Sequence, residues 1–420
     1  MLEQSLTLPC GHMLPNRFCK AAMTEGLADA LDRPTAQHLR LYERWARGGA
    51  GLLLTGNIMI DQRYLERAGN VVVQDDSVLP ALREWADVVH AGGAQLWAQI
   101  SHPGRQCPRL VNLTPIAPSP VQLDILGNFG KPRAATQQEI EEVIARFAET
   151  ADLVQRAGLD GVQIHAAHGY LLSQFLSPRT NQRNDAWGGP LAHRARLLLA
   201  VVKAVRERVG AAYPISVKLN SSDFVKGGFT LEECLQVVAW LNDAGIDLLE
   251  ISGGTYEQVE FFRQTPDREV RDSTRQREAM FLQYAAAIQG VARMPLMVTG
   301  GFRTRAGMEA ALAAGQTDMV GIARPFCVDP DFPSKMLAGQ LDTLPHNEDH
   351  LRLGTGYWGP NSPSAGLRGL NNYAHAGWYY HQIERMGAGQ APEQDYGPLN
   401  ALLAHLWHDT GRALRRKRAR

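Results

Sequence analysis

PLMVTGGFRTRAGMEAALAAGQTDMVGIAR, residues 295–324, contains one complete strand–helix–strand repeat. The apolar runs 295–299 and 318–322 are typical of buried strands, and the amphipathic run 304–314 between them is typical of a helix. Gly315 follows that helix, at a point where a glycine can adopt the left-handed conformation that ends helices. Two strands joined by one helix predict a parallel βαβ unit.

The same alternation extends along the chain in both directions. The predicted strands are 17–22, 51–55, 94–99, 161–165, 214–219, 247–251, 295–299 and 318–322. The predicted helices are 35–48, 76–91, 137–157, 190–209, 231–244, 275–292, 304–314 and 330–338, with capping boxes at Thr136/Glu139 and Thr230/Glu233. Eight such units predict an α/β fold, a (β/α)8 TIM barrel over residues 1–340, rather than an open sheet.

Two segments extend beyond this barrel. The Pro-rich stretch 101–133 is a long loop after strand 3, and a long loop on the catalytic face is often a lid or binding loop. Residues 341–420 form a C-terminal extension that we expect to pack on the barrel or on a neighbouring subunit, with a disordered basic tail at 412–420. GTGYWG at 354–359 matches GxGxxG only weakly, because no clear strand precedes it.

The composition excludes several classes of protein. Of 420 residues, 43 are Lys or Arg and 43 are Asp or Glu, which argues against a nucleic-acid binder. The five cysteines are scattered without a CxxC pair, so a zinc site, an iron–sulfur cluster and a disulfide framework are all disfavoured. We find neither a signal-peptide pattern nor an 18-residue apolar stretch, and expect a soluble cytoplasmic protein without a membrane partner.

The active site of such a barrel lies at the C-terminal ends of its strands. The residues placed there are Ala22, Met23 and Thr24, Gly56, Gln99, His165, His168 and Tyr170, Lys218, Ser252-Gly253-Gly254, Gly300 and Gly301, and Ala323 and Arg324.

The loops after strands 7 and 8 predict a phosphate site. Gly300 and Gly301 allow backbone N–H groups to approach phosphate oxygens, and Arg324 can bind phosphate through two hydrogen bonds. The alternative is a tight turn beside a surface arginine.

The His165-x-x-His168-x-Tyr170 cluster allows three interpretations. Two histidines could bind a metal, but no third ligand is obvious nearby. They could be an ordinary hydrogen-bonded pair. They could also donate two N–H groups to one substrate oxygen, with Tyr170 as a general acid.

Gln99 and Lys218 point to one of two chemistries. An amide that matches an imide edge, together with a cation that stabilises an anion, fits an isoalloxazine ring. A lysine at the end of strand 5 also fits the Schiff base of an aldolase-type lyase.

Longer motifs point to a known family. Residues 165–189 contain H-x-x-H-G-Y-L-x-x-Q-F-L-S-P-x-x-N-x-R-x-D-x-x-G-G, and NRFCKAAMTE (16–25), QLWAQISHPGRQ (95–106), PLMVTGGF (295–302) and GIARPF (321–326) occur in the family's order. Over about residues 5–340 the chain resembles the old yellow enzyme family of FMN-dependent ene-reductases, also described as NADH:flavin oxidoreductases.

The resemblance implies a role for each candidate residue. Ala22, Met23 and Thr24 would contact the FMN ring, with Thr24 near its C4 oxygen. Gly56 and Gln99 would line the ring, and Lys218 would approach its N1–O2 side. Gly300, Gly301, Ala323 and Arg324 would hold the phosphate. His165 and His168 would bind a substrate carbonyl, and Tyr170 would be the proton donor.

The implied reaction has two steps, in which NAD(P)H reduces FMN and hydride then passes from flavin N5 to an α,β-unsaturated carbonyl. This chain has Lys218 where the family usually has Arg, Ala22 where Pro is common, and Thr24 where some members have Cys. An oxidative dehydrogenase or demethylase of the same family, an aldolase-type lyase using Lys218, and a phosphate-ligand binding module remain alternatives. The residues leave open the natural substrate, the choice between NADH and NADPH, and whether the chain forms a homo-oligomer.

Overall fold

The computed structural model of the chain describes residues 1–123, 127–252, 284–345 and 347–416. At its centre is a closed barrel of eight parallel strands, in which each strand pairs with the next along the chain and the last pairs with the first. The strands are β1 (Phe18–Lys20), β2 (Leu52–Met59), β3 (Gln95–Ser101), β4 (Gly161–Ala166), β5 (Ile215–Asn220), β6 (Leu248–Ser252), β7 (Leu296–Thr299) and β8 (Met319–Ile322). The predicted (β/α)8 barrel is confirmed.

Two strands differ from their predicted lengths. β1 has three residues instead of six: the Ala21 N–H still donates to the Ile322 carbonyl oxygen at 2.8 Å, but residues 21–29 have no regular secondary structure. β2 continues four residues beyond the predicted end, since a register shift between Leu54 and Asn57 lets it resume pairing with β3.

The helices lie outside the barrel, and all except α4, which was not predicted, lie close to their predicted positions. They are α1 (Ala36–Ala46), α2 (Leu79–Ala91), α3 (Gln137–Arg156), α4 (Leu171–Leu176), α5 (Leu191–Arg194), α6 (Arg196–Val209), α7 (Leu231–Ala244), α8 (Arg305–Ala313) and α9 (Phe332–Leu337). Both predicted capping boxes are present, at the N-termini of α3 and α7. Residues 284–289 are helical, whereas 275–283 of that predicted helix and Gly253-Gly254 lie outside the described residues.

The N-terminal end of the barrel is filled with apolar side chains. A two-stranded ribbon, Leu6–Thr7 with Met13–Leu14, places Leu6, Leu8 and Leu14 against inward-facing residues such as Leu54 and Trp97. Polar side chains of the barrel therefore concentrate toward its C-terminal mouth.

The C-terminal extension packs on the barrel. It forms α10 (Ala365–Gly387), which contacts α1, and α11 (Pro398–Arg415), which contacts α10. Gly354–Gly359 lies in this extension, where Gly356–Trp358 form a single 3₁₀ turn instead of the strand–turn–helix that dinucleotide binding requires. None of the helices in the described ranges is long and apolar enough to cross a membrane.

The basic end of the chain, for which the sequence predicts disorder over 412–420, makes defined contacts as far as residue 416. Residues 412–415 form the last turn of α11, and Arg416 binds both carboxylate oxygens of Asp32 at 2.8 Å. Arg412 also pairs with Glu384, with 2.6 Å between Nη2 and Oε1. These ion pairs fix the end of the helix against the barrel and α10. Residues 417–420 lie outside the described ranges.

Candidate active site

A buried polar network crosses the barrel below its mouth. Gln99 Nε2 donates to Gln163 Oε1 at 2.7 Å, and Gln163 Nε2 donates to Glu250 Oε2 at 2.7 Å. Lys218 Nζ lies 2.8 Å from Glu250 Oε1, in an ion pair whose side chains are 4% and 0% exposed. The structure thus connects Gln99 and Lys218, as their positions suggested, but through two residues that the sequence analysis missed.

His165, His168 and Tyr170 come together where β4 ends. The His165 ring lies 5.1 Å from the His168 ring and 4.8 Å from the Tyr170 ring, in edge-to-face contacts. His168 has a positive φ of 59°, which is strained for a residue with a side chain. Its backbone N–H donates to Asn220 Oδ1 at 3.1 Å. The fold therefore places His168 in a conformation that its local sequence does not favour.

Both imidazoles are neutral near pH 7. Burial lowers the pKa of His165 well below its usual value, and the neighbouring His168 and Lys218 add to this effect. Burial followed by Lys218 lowers the pKa of His168 in the same direction. The Ala167 N–H donates to His165 Nδ1 at 3.2 Å, so the ring proton of neutral His165 lies on Nε2. His168 Nε2 lies 2.7 Å from Ser252 Oγ.

A second set of polar contacts connects Tyr170 to the loop after β1. Asn57 Nδ2 donates to the Tyr170 hydroxyl and to Thr24 Oγ1, each at 3.4 Å. Thr24 in turn donates to Glu66 Oε2 at 2.9 Å. Burial raises the pKa of Glu66. The hydroxyl hydrogen of Thr24 is directed at Glu66, and the predicted position of Thr24 near the flavin C4 oxygen stays a prediction.

Gly56 allows β2 to approach the segment that contains Met23 and Thr24. A Cβ on Gly56 would lie 2.5 Å from the Met23 carbonyl oxygen and 2.7 Å from Thr24 Cα. Glu25 Oε1 accepts the Gly56 N–H at 2.7 Å, which fixes the two segments together. Ala22 and Met23 are half-buried beside this contact.

The residues predicted to bind phosphate lie in the loops after β7 and β8, and one of them contacts the C-terminal extension. Gly300 and Gly301 have φ values of 103° and 83°, and a Cβ on Gly300 would meet nothing within 4 Å. Arg324 follows Ala323 at the end of β8, and its Nη1 lies 3.2 Å from Glu348 Oε1 of the C-terminal extension. Burial would raise the pKa of Glu348, but the charges of Arg324 and Arg303 outweigh it and lower that pKa to about 2.

Sequence reasoning missed Gln163, Glu250, Asn57 and Glu348. Gln163 and Glu250 could have been found, because each is a polar residue inside an otherwise apolar strand. Glu348 gives no local signal, since only the folded extension carries it to Arg324. Over the described part of the chain, no group of three His, Cys, Asp or Glu residues is placed to hold a metal ion.

Comparison with known proteins identifies the family. The profile of the NADH:flavin oxidoreductase / NADH oxidase family matches residues 9–342. The chain belongs to this family. This flavin oxidoreductase is 37% identical over 352 residues to the NADH-dependent flavin oxidoreductase iliE of Hypocrea jecorina, a match that covers 79% of this chain and 88% of the relative.

Solved structures agree with this assignment. The old yellow enzyme homologue from Zymomonas mobilis superposes with a TM-score of 0.70 at 26% identity, covering 87% of this chain and 98% of that one. A 2-naphthoyl-CoA reductase superposes with a TM-score of 0.74 at 27% identity and covers 81% of this chain, which spans only 52% of that longer protein. The protein is an NADH:flavin oxidoreductase of the old yellow enzyme family, with FMN as its cofactor and NADH as its reductant.

Proposed function

We propose that this oxidoreductase reduces the activated C=C bond of α,β-unsaturated carbonyl compounds or related acceptors. The observation that carries the proposal is the convergence of two neutral imidazoles and one phenol, His165, His168 and Tyr170, at the mouth of the barrel. An acceptor of this kind needs hydrogen-bond donors at the carbonyl oxygen and a proton donor at the α carbon.

The residues at the mouth fit FMN. The open backbone at Gly300, the neighbouring Gly301 and the guanidinium of Arg324 would hold its phosphate, and Ala22, Met23, Thr24, Gly56, Gln99 and Lys218 would surround its ring. When bound, FMN would supply hydride transfer between NADH and the alkene, in two separate half-reactions.

His165 and His168 would polarise the substrate by donating to its carbonyl oxygen. His165 has its proton on Nε2, and that group would be one donor. Neutral His168 can donate from Nδ1 only in the tautomer whose Nε2 accepts a hydrogen bond, and the Ser252 hydroxyl, 2.7 Å from Nε2, can donate that bond. Because both rings are neutral, each donates without carrying a charge, and both bonds strengthen as the oxygen gains negative charge.

Tyr170 would deliver the proton to the α carbon. Asn57 Nδ2 donates to the phenolic oxygen at 3.4 Å, and this contact would hold the hydroxyl in place for the proton transfer. The same amide N–H would stabilise the phenolate after the proton has left. Asn57 is therefore a positioning residue for this step.

The contacts of Lys218 favour an electrostatic role over an aldolase-type Schiff base. Its ammonium group forms a buried ion pair with Glu250, with 2.8 Å between Nζ and Oε1, so the lysine is held by a carboxylate instead of facing a carbonyl substrate. The direction of the reaction can be tested with the flavin itself. If an enone reoxidises the reduced enzyme, and the saturated product does not reduce the oxidised enzyme, the reductive direction is supported over the oxidative alternative.

The test measures the two half-reactions separately by stopped-flow absorbance. Tyr170→Phe, His165→Ala and His168→Ala should leave flavin bleaching by NADH within a few-fold of wild type. Reoxidation by cyclohexenone should slow by about 10²–10⁴-fold in Tyr170→Phe. The two His variants should also bind phenols, which mimic the enolate, more weakly.

His193→Ala, a histidine in α5, is the matched control and should behave as wild type in both steps. Unchanged enone reoxidation in all three variants would contradict the proposal. Loss of activity on chelation that zinc restores would instead favour a metal site.

A further inference from the structure

The last helix of the chain, α11, has apolar residues on two of its faces. Ala401, Leu402 and His405 are buried against the rest of the protein. Five other large apolar residues of the same helix are between 43% and 77% exposed: Leu399, Leu403, Leu406, Trp407 and Leu414. Exposed apolar residues that cluster in this way mark interaction sites, whereas single ones are ordinary.

The exposed residues form one continuous stripe. At 3.6 residues per turn, the five side chains and the exposed Thr410 fall within an arc of about 100°, on the side opposite the buried residues. We call this set the outer stripe. Its positions are symmetric about the midpoint between residues 406 and 407: 399 mirrors 414, 403 mirrors 410, and 406 mirrors 407.

We propose that the outer stripe binds the same stripe of a second copy of this chain, with the two α11 helices antiparallel about a two-fold axis. In that arrangement Leu399 faces the partner's Leu414, Leu403 faces the partner's Thr410, and Leu406 lies beside the partner's Trp407. A two-fold interface requires a surface that is complementary to itself. The mirror symmetry of the stripe meets this requirement.

The charges at the two ends of α11 also favour an antiparallel pair. Exposed Asp395 lies three residues before Pro398, the first residue of the helix, and exposed Arg415 is its last residue. An antiparallel partner brings each carboxylate near the other copy's arginine, whereas a parallel partner would bring like charges together. An anionic membrane would attract the arginine end but repel the aspartate end.

The area of the stripe is sufficient for a modest dimer. A tryptophan buries about 150–250 Å², so this residue and four partly exposed leucines offer on the order of 500 Å² per chain. Two copies would remove about 1,000 Å² from water, the lower limit for a specific interface. We therefore expect a dimer that dissociates on dilution.

The first test is the mass of the FMN-loaded full-length protein by size-exclusion chromatography with light scattering, across a dilution series. We expect twice the chain mass at high concentration. Leu403→Glu and Trp407→Glu should stay monomeric, with unchanged circular dichroism and unchanged NADH oxidation. Leu113→Glu is the matched control: Leu113 is 66% exposed but lies in the loop after β3, so its variant should still form dimers.

Disulfide crosslinking tests the register. Leu406→Cys should crosslink to itself across the axis. Leu414→Cys should not, because two copies of position 414 would be about 20 Å apart at 1.5 Å per residue. Leu414→Cys chains should, however, crosslink to Leu399→Cys chains.

A wild-type protein that is monomeric at every concentration would overturn the proposal. So would dimers that survive both glutamate variants, or crosslinking of Leu414→Cys to itself. Monomeric protein that binds phosphatidylserine vesicles through Trp407 would assign the stripe to a membrane surface instead.

Discussion

Replacing Glu250 with Gln tests the polar network beneath the active site. The substitution keeps an oxygen that can accept the Gln163 N–H now donated at 2.7 Å, but it removes the negative charge 2.8 Å from Lys218 Nζ. At an effective dielectric constant of about 20, two charges at this distance attract each other by about 6 kcal/mol. In the wild-type protein, part of that energy offsets the cost of removing both charges from water. Glu250→Gln removes the attraction and leaves Lys218 as an uncompensated buried cation.

We expect Glu250→Gln to lower the free energy of unfolding by about 3–5 kcal/mol, as is typical when one partner of a buried ion pair is removed. Lys218→Met should be destabilising for the same reason, because it leaves Glu250 unpaired. The double variant Lys218→Met/Glu250→Gln removes both charges and should recover most of the loss. The assay is urea unfolding of the flavin-free protein, followed by circular dichroism and combined as a double-mutant cycle.

The control is Glu207→Gln, which breaks the exposed Lys203–Glu207 pair and should not change the unfolding midpoint measurably. A loss below about 1 kcal/mol for Glu250→Gln would refute the reasoning, since it would mean that the buried charge costs little. A double variant as unstable as the sum of the two single variants would refute it as well.

Three further predictions follow from individual contacts. Ser252→Ala should weaken phenol binding while Ser252→Thr retains it, because a hydroxyl at this position donates to His168 Nε2 and so keeps the ring proton on Nδ1. The tautomer can be read by ¹⁵N NMR of the imidazole, and an unchanged tautomer in Ser252→Ala would contradict this assignment. Arg324→Ala should weaken FMN binding by about 1.5–3 kcal/mol, the value of a hydrogen bond to a charged group. Flavin release on ultrafiltration measures this loss, and equal retention of FMN would argue against a phosphate contact. Burial lowers the pKa of His38 to about 4, so from about pH 6.5 downward this side chain binds a proton in the unfolded chain but not in the folded one. The free energy of unfolding should therefore fall as the pH drops from 6.5 to 4. His38→Gln should reduce the pH dependence of that free energy by about one proton.

Sequence patterns determined the barrel because its elements are specified locally. Each strand is a short apolar run, each helix has a 3.6-residue period, and capping boxes such as Thr230/Glu233 fix helix starts. The rule that barrel active sites form at strand ends then placed His165, Tyr170 and Lys218 at one mouth without any knowledge of distances. The sequence did not predict where β2 ends, since the extension of this strand depends on a register shift against β3.

Only the tertiary structure decided how those residues act. The pairing of Lys218 with Glu250, the approach of Ser252 to His168 and the contact of Asn57 with Tyr170 each join residues that are at least 32 positions apart. The basic tail shows the same limit, because nothing in its own sequence points to Glu384 and Asp32, the residues with which Arg412 and Arg416 pair. Local sequence sets backbone preference and which side chains are apolar, whereas the partner of a charged or hydrogen-bonding group is set by distances that exist only after the chain has folded.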